Sequence, residues 1–137
     1  MERTRHLHEA AFAEAGVPCA SMCIEEPYYA ELEKHTKSFF ILAYDGEELA
    51  GFVSVFVVTH QHTCEPVATN DVIFVRHKYR SGVLAGRLFV MAEREAAARG
   101  AVIFQWQAPV RSPLFKTLLA RTPDRSGVQV TFTRPLR

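Results

Sequence analysis

The sequence has no long apolar run, little net charge and few cysteines, and each of these absences excludes a class of protein. No apolar run reaches the roughly 20 residues that cross a bilayer. The formal net charge of +1 provides no overall attraction to nucleic acid or to an anionic membrane. The three cysteines lack the spacing of a disulfide framework, and the charged start MERTRHLHEAAF is unlike a secretory signal. We therefore expect reduced thiols and a cytoplasmic location.

The composition is that of an ordinary globular protein. The chain has 137 residues, of which 48% are hydrophobic and 23% are charged. This length suits one compact domain, and these proportions are enough for one apolar core. No repeat, low-complexity tract or linker divides the chain, so we expect a single domain over residues 1–137.

The apolar pattern predicts helices and strands in the order α, α, β, β, β, α, β, α, β. The strongest prediction is the third helix, in which Leu84, Leu88 and Met91 form one stripe and Gly100 marks the end. Asp45-Gly46 indicates a hairpin, with a loop longer than two residues. Ser112 and Pro113 are typical of the first residues of a helix. The predicted helices cover 4–15, 27–36, 84–99 and 112–121, with a loop over 17–25, and the predicted strands cover 38–44, 51–60, 68–76, 101–107 and 127–133.

This order of elements predicts an α/β fold with a mixed α+β sheet. An antiparallel meander of three strands leads into a β-α-β crossover, with helices on both faces of the sheet. Because the first strands form hairpins, a doubly wound nucleotide-binding fold is excluded.

The stretch VRHKYRSGVLAGRL, residues 75–88, joins a predicted strand to the longest predicted helix. The first N–H groups of a helix have no intrahelical acceptors, and the helix dipole adds positive charge there. Small residues between 81 and 86 would let a pyrophosphate approach the backbone, and Arg80 and Arg87 could add charged contacts. The alternative is that the glycines only close a tight turn.

Residues 71–101, with the Tyr79-Arg80 pair followed by small residues that open a helix, resemble the GNAT superfamily of acyl-CoA N-acyltransferases. The likeness extends more loosely over 38–121. The HQHT segment before the third strand also resembles the compact acetyltransferases that phages encode. The resemblance implies direct transfer of an acetyl group from acetyl-CoA to an amine. The acceptor could be a small molecule, a protein or a modified nucleobase.

The same resemblance implies where acetyl-CoA binds. The pantetheine arm would lie between the 68–76 and 101–107 strands, which separate near Pro109 because proline cannot donate a ladder hydrogen bond. Backbone groups of Ile73, Phe74 and Val75 would pair with the arm. The pyrophosphate would contact Arg80, Ser81, Gly82, Val83, Leu84, Ala85 and Gly86.

Direct transfer requires a general base, because only a neutral amine attacks a thioester. Asp71, near the start of the motif strand, is the first candidate. His60 and His62 are the others, since imidazoles titrate near neutral pH and both lie on the connection before that strand. For each residue the alternative is an ordinary role at a strand end or on a surface loop.

Two residues depart from the family pattern. Val83 stands where the central glycine of the pyrophosphate motif belongs, and Phe115 stands where the family often has a tyrosine that protonates the CoA thiolate. Water or Ser112 could replace that tyrosine. A second hypothesis therefore keeps the fold as a CoA-binding or protein-interaction module without turnover.

Two further patterns are weaker. His60, His62 and Cys64 alternate, and with Cys19 and Cys23 they could suggest zinc, but the spacings match no standard site and we expect no metal. The alternating segment 127–133 could pair across a homodimer as an edge strand, or it could complete the sheet of its own chain.

Overall fold

The computed structural model describes residues 2–15, 24–35, 37–122, 127–132, 134 and 136. No described helix is long and apolar enough to cross a membrane. Single turns of 3-10 helix cover Glu2–Thr4 and His77–Tyr79. The other elements are α1 (Arg5–Ala15), α2 (Glu26–Lys34), β1 (Ser38–Asp45), β2 (Glu48–Thr59), β3 (Pro66–Val75), α3 (Leu84–Ala98), β4 (Ile103–Gln105) and α4 (Pro113–Arg121).

The four strands form one mixed sheet in the order β1-β2-β3-β4. The first three strands are an antiparallel meander, and β4 joins β3 in parallel after the α3 crossover. Apolar side chains alternate between the two faces, as the period of a strand requires. One cluster, with Val53, Val55 and Leu88, lies under α3, and the other, with Leu7 and Phe52, lies under α1. The predicted fold class is confirmed.

The hairpin between β1 and β2 is tighter than the sequence predicts. Asp45 pairs with Glu48, so only Gly46 and Glu47 form the turn. Gly46 has a φ of 59°, a positive value that glycine adopts easily and that two-residue hairpin turns require. The prediction of a longer loop was wrong because the polar residues after the turn already belong to β2.

The predicted glycine end of α3 and the predicted cap of α4 are confirmed, whereas α2 begins and ends earlier than the predicted 27–36. After α3, the N–H of Ala101 donates to the carbonyl of Ala96 at 2.9 Å and Gly100 has a φ of 88°. This is the glycine-ended Schellman arrangement. At α4, the hydroxyl of Ser112 accepts a 3.3 Å bond from the N–H of Phe115. Most of the predicted loop 17–25 lies outside the described residues.

Two strand predictions differ from the structure. The predicted strand 101–107 is reduced to three residues, because the chain diverges from β3 after Gln105. The prediction of a strand over 127–133 was wrong for its described residues, 127–132, which pair with no described strand and leave Phe132 92% exposed. Alternation shows that a segment can be a strand, but a strand also needs a neighbouring edge. The homodimer stays a prediction.

Candidate active site

β3 and β4 separate at the β4 edge of the sheet. Their last ladder pair is Thr69 with Gln105, yet β3 continues for six residues to Val75. Pro109 follows β4 in the diverging segment, as the sequence predicts. We call the gap between these two segments past the Thr69–Gln105 pair the splay.

A cavity of about 460 Å³ lies at the splay. Its walls come from α1, the end of β3, the first turn of α3 and the start of α4, and most of them are apolar. The lining residues are Ala11, Glu14, Ile73, Phe74, Val75, His77, Arg80, Ala85, Pro109, Arg111, Ser112, Pro113, Leu114 and Thr117.

The backbone of β3 presents hydrogen-bonding groups to the splay. The N–H of Arg76 donates to the carbonyl of Ala50 at 2.9 Å, so this pair is a bonded one. Because bonded and non-bonded pairs alternate in an antiparallel ladder, Phe74 turns its backbone groups toward β2, and those of Ile73 and Val75 point to the open side. Of the three residues assigned to the pantetheine arm, Ile73 and Val75 therefore have suitable backbone directions, but the Val75 carbonyl already accepts a 2.7 Å hydrogen bond from Arg80.

A second, smaller cavity of about 280 Å³ lies at the start of α3. Val83 occupies the N-cap position and provides no side-chain hydrogen bond, so the first N–H groups of the helix are open to an anion. The Val83 side chain is 70% exposed, and a Cβ on Gly86 would meet no atom within 4 Å. The lining residues are Lys78, Tyr79, Ser81, Gly82, Val83, Leu84 and Arg87.

The two cations assigned to the phosphate have different surroundings. The Arg80 guanidinium donates to the carbonyl of Val75 at 2.7 Å and forms an ion pair of 2.8 Å with Glu14, so it joins α1 to the end of β3. Arg87 forms no ion pair with a described residue. Lys78, by contrast, is paired with Glu48. Arg87 is therefore the cation of the second cavity whose charge is uncompensated within the described part of the chain.

Asp71 lies at a β-bulge in β3. Ser54 pairs with Val72 while Val55 pairs with Asn70, which leaves Asp71 as the extra residue. Its Oδ2 accepts two hydrogen bonds, from the Tyr29 hydroxyl at 2.7 Å and from the Ser54 hydroxyl at 3.1 Å. Bulges re-aim side chains in this way and are common beside active sites.

Two side chains near Asp71, those of Tyr29 and His8, have pKa values shifted from their ordinary ones. Burial and the hydrogen bond to Asp71 raise the pKa of Tyr29 far above its ordinary value, so the phenol remains a donor. His8 is 5% exposed, its ring centre lies 4.6 Å from that of Phe52, and its Nε2 has no partner among the described residues. Burial lowers the pKa of His8, against the opposing charge of Asp71. Sequence patterns did not single out Tyr29, Ser54 or His8, since nothing local links them to position 71.

His60 and His62 lie in the turn between β2 and β3, at the opposite end of β3 from the cavity. His60 bonds to Glu65 across this turn, and β3 begins at Pro66. From Pro66 to Ile73 the strand rises about 23 Å, at about 3.3 Å per residue. Neither histidine lines either cavity.

Phe115 does not line the splay cavity, although its neighbour Leu114 does, and so does Thr117 one turn later. The Ser112 hydroxyl donates to the carbonyl of Pro109 at 2.7 Å while it caps α4. Its proton is thus already used in the described structure.

The described residues contain no group of three or more His, Cys, Asp or Glu side chains placed to hold a metal ion. Cys19 and Cys23 lie outside them. Cys64 is a free, exposed thiol.

The model of the Acetyltransferase (GNAT) family matches residues 2–112 of the chain. The chain belongs to the GNAT acetyltransferase family. It is therefore an acyl-CoA-dependent N-acetyltransferase, with acetyl-CoA as the donor and an amine as the acceptor. The match includes β3, α3 and the splay, and it ends where α4 begins.

Solved structures share the fold of this acetyltransferase. An aminoglycoside acetyltransferase from an uncultured soil metagenomic sample superposes with a TM-score of 0.74 at 16% identity, over 99% of this chain and 88% of that one. An aminoglycoside N-acetyltransferase in complex with CoA gives 0.70 at 15% identity, over 98% and 92%. A ribosomal-protein-alanine N-acetyltransferase from Brucella melitensis biovar Abortus 2308 gives 0.67 at 20% identity, over 97% and 91%.

A comparison with curated protein sequences finds no match. None of these comparisons supports the resemblance to phage-encoded members.

Proposed function

We propose that this acetyltransferase binds acetyl-CoA across the first turn of α3 and transfers the acetyl group directly to an amine held beside Asp71. The observation that carries the proposal is the arrangement of the two cavities. Ala85 lines the splay cavity and its neighbour Leu84 lines the second cavity, so the open N-terminus of α3 lies between them.

The residues present fit such a donor. An anion at the second cavity would meet the backbone N–H groups from Ser81 to Gly86 and the side chain of Arg87. The apolar walls of the splay cavity suit an acyl-pantetheine arm, and the backbone of Ile73 can bond to its amides. The open space beside Gly86 allows the ligand to approach the helix backbone.

Asp71 is the proposed general base. Tyr29 and Ser54 occupy its Oδ2, while Oδ1 accepts no hydrogen bond from a described residue. Oδ1 can therefore take the proton from the ammonium group of the acceptor, directly or through one water molecule. The amine nitrogen then bonds to the acyl carbon, the carbon–sulfur bond breaks, and its electron pair leaves with the sulfur. The nitrogen loses its second proton, which passes through water to the thiolate or to the solvent, and the neutral amide remains.

No tyrosine is needed at position 115 for this reaction. A free thiol has a pKa of about 8.5, so a thiolate is a competent leaving group near neutral pH. Thr117 supplies the other hydroxyl at the cavity wall, where it donates a long hydrogen bond of 3.5 Å to the carbonyl of Pro113. The absence of a phenol at Phe115 thus affects the rate without preventing the transfer.

The carboxylate of Asp71 favours an acceptor whose amine is positively charged in solution. An exposed Asp71 attracts an ammonium group before it removes the proton. The related folds act on aminoglycosides and on a ribosomal-protein alanine, which supplies a starting panel. The free thiol of Cys64 agrees with a reducing, cytoplasmic location, which we also propose.

The second candidate is a CoA-binding module without turnover. Val83 in the place of the motif glycine and Phe115 in the place of the tyrosine favour it. Titration calorimetry with acetyl-CoA, followed by a thiol-release assay with aminoglycosides, aminosugar phosphates and alanine-ended peptides, separates the two. Tight binding without thiol release from any amine would support the module, and no binding of any acyl-CoA would refute both.

Asp71→Asn tests the assigned base. The amide keeps the shape of the carboxylate but cannot accept the proton, so kcat should fall about a hundredfold. The Kd of acetyl-CoA should remain unchanged, because Asp71 is not part of either cavity wall. An Asp71→Asn variant with wild-type kcat would show that another group is the base.

A further inference from the structure

The Asn70 side chain bridges the splay at its closed end. Its Nδ2 donates to the carbonyl of Gln107 at 3.0 Å, and its Oδ1 accepts from the N–H of Gln107 at 2.7 Å. The backbone ladder has already ended one residue earlier, at the pair of Thr69 with Gln105. Asn70 is 6% exposed, so these two bonds are made away from water.

A carboxamide offers the same donor and acceptor as a peptide group. The Asn70 side chain therefore replaces one peptide unit between strands that are too far apart to pair directly. Asparagine is depleted in strands, and an aliphatic residue here would leave both backbone groups of Gln107 without these partners. Packing alone does not explain the choice of residue.

The residues on the two sides of the site lie just after the bridged residues in the chain. On β3 the next residue is Asp71, at the bulge. On the other segment Gln107 lies two residues before Pro109, which lines the cavity. Trp106 joins this segment to α3, since its Nε1 donates to Glu93 at 3.0 Å, and its ring stacks on Phe104 with 4.1 Å between the ring centres.

We propose that Asn70 is a positioning residue that sets the width of the splay, and with it the distance between the bound acyl group and Asp71. The inference rests on the proposed function, because the splay matters only when an acyl donor occupies it. Loss of the bridge lets the segment that contains Pro109 move relative to β3. Acetyl-CoA then binds less tightly, and its acyl carbon is less well aligned with the amine.

Three variants test the role. Asn70→Ala removes both bonds and should raise the Kd of acetyl-CoA about fivefold and lower kcat about tenfold. Asn70→Asp is similar in shape, but its carboxylate cannot donate to the Gln107 carbonyl. Gln107→Ala is the matched control: Asn70 bonds to the main chain of Gln107, so this variant should bind and turn over as the wild type does.

The pH dependence of Asn70→Asp separates positioning from a general loss of structure. A protonated carboxyl group has one donor and one acceptor, as the amide has, and burial favours this neutral form. The ratio of its Kd for acetyl-CoA to that of the wild type should therefore fall toward one between pH 8 and pH 5.5. This readout does not depend on the base, since it measures binding alone.

Circular dichroism first establishes that each variant is folded. If Asn70→Ala does not fold, the pH series of Asn70→Asp still decides the question. A folded Asn70→Ala with wild-type Kd and kcat, or an Asn70→Asp ratio that does not change with pH, would overturn the role of Asn70. If the wild type binds no acetyl-CoA, the proposed function fails and this role with it. Binding by the wild type with unaffected variants refutes the role of Asn70 alone.

Discussion

The hydroxyl of Tyr29 donates a 2.7 Å hydrogen bond to Oδ2 of Asp71, although 42 residues separate the two along the chain. Tyr29 lies on α2 and Asp71 lies at the bulge of β3. Ser54 on β2 adds a second donor to the same oxygen. The carboxylate is therefore held by Oδ2 between α2 and β2. Its Oδ1 accepts no hydrogen bond from a described residue and can take up a proton, as a base requires.

Tyr29→Phe removes one of these donors with little change of shape. We expect kcat to fall about tenfold, because the carboxylate is less well aligned with the amine. The KM for acetyl-CoA should remain unchanged, since Tyr29 lines neither cavity. Steady-state kinetics with the best amine of the panel measures both. Tyr28→Phe is the control, as Tyr28 is the exposed neighbour on the same helix, and equal kcat values for the two variants would contradict the prediction.

Stability should depend on the protonation of His8. Burial holds the pKa of His8 below its ordinary value of 6.5, so the unfolded chain takes up the proton first. The contribution of His8 to the free energy of unfolding is therefore complete above about pH 6.5 and decreases as the pH falls below it. Urea unfolding at pH 7.5 and pH 5.5 should show a smaller loss for His8→Phe than for the wild type.

His62→Phe is the control for this experiment. His62 is exposed in the turn between β2 and β3, so its removal should preserve the pH dependence of the wild type. If His8→Phe loses as much stability between the two pH values as this control does, His8 is not the responsible group.

Arg80→Ala should act mainly on stability. The Arg80 side chain is 25% exposed, and its guanidinium bonds to Glu14 and to the Val75 carbonyl, so its loss leaves both without this partner. We expect the free energy of unfolding to fall by about 1 to 3 kcal/mol. Urea unfolding measures it, and Arg80→Lys should recover part of the loss, because lysine keeps the charge without the planar fork. If Arg80→Ala were as stable as the wild type, this structural role of Arg80 would be refuted.

Arg87→Ala should act mainly on binding. Arg87 is exposed and forms no ion pair with the described residues, so we expect stability to change by less than about 0.5 kcal/mol. The Kd of acetyl-CoA should rise about fivefold and depend less on salt, since one contact to the phosphates is lost. Calorimetry at two salt concentrations measures this effect. Arg94→Ala, an exposed arginine two turns further along α3, is the control, and an equal effect of both variants would argue against a specific contact.

Much of the fold could be predicted because its signals are local. The stripe of α3, the Schellman end at Gly100 and the cap at Ser112 each depend on residues within a turn or two of one another. The meander and the crossover follow from the order of these elements. The prediction of a strand over 127–133 was wrong for its described residues. Alternation is a local property of the sequence, but a strand also needs a neighbouring strand edge to pair with, which the local sequence does not show.

The site was only partly predictable for the same reason. The open N-terminus of α3 and the approach of the ligand beside Gly86 belong to one stretch of sequence, residues 75–88, and the family resemblance drew attention to it. Tyr29, Ser54 and His8 gave no signal, because each contacts or neighbours Asp71 only after separate elements have packed. His60 and His62 were plausible bases by chemistry, and the direction of β3 places them at its far end.

The sequence by itself determined where helices begin and end, which strands pair in a meander and where an anion could meet a helix. These features depend on periodicity and on neighbouring backbone groups. Only the tertiary structure decided that Asn70 bridges the splay, that Arg80 pairs with Glu14 and that Asp71 faces Tyr29. Each of these contacts joins residues dozens of positions apart, and it forms only when strand register and helix packing bring their side chains within hydrogen-bonding distance.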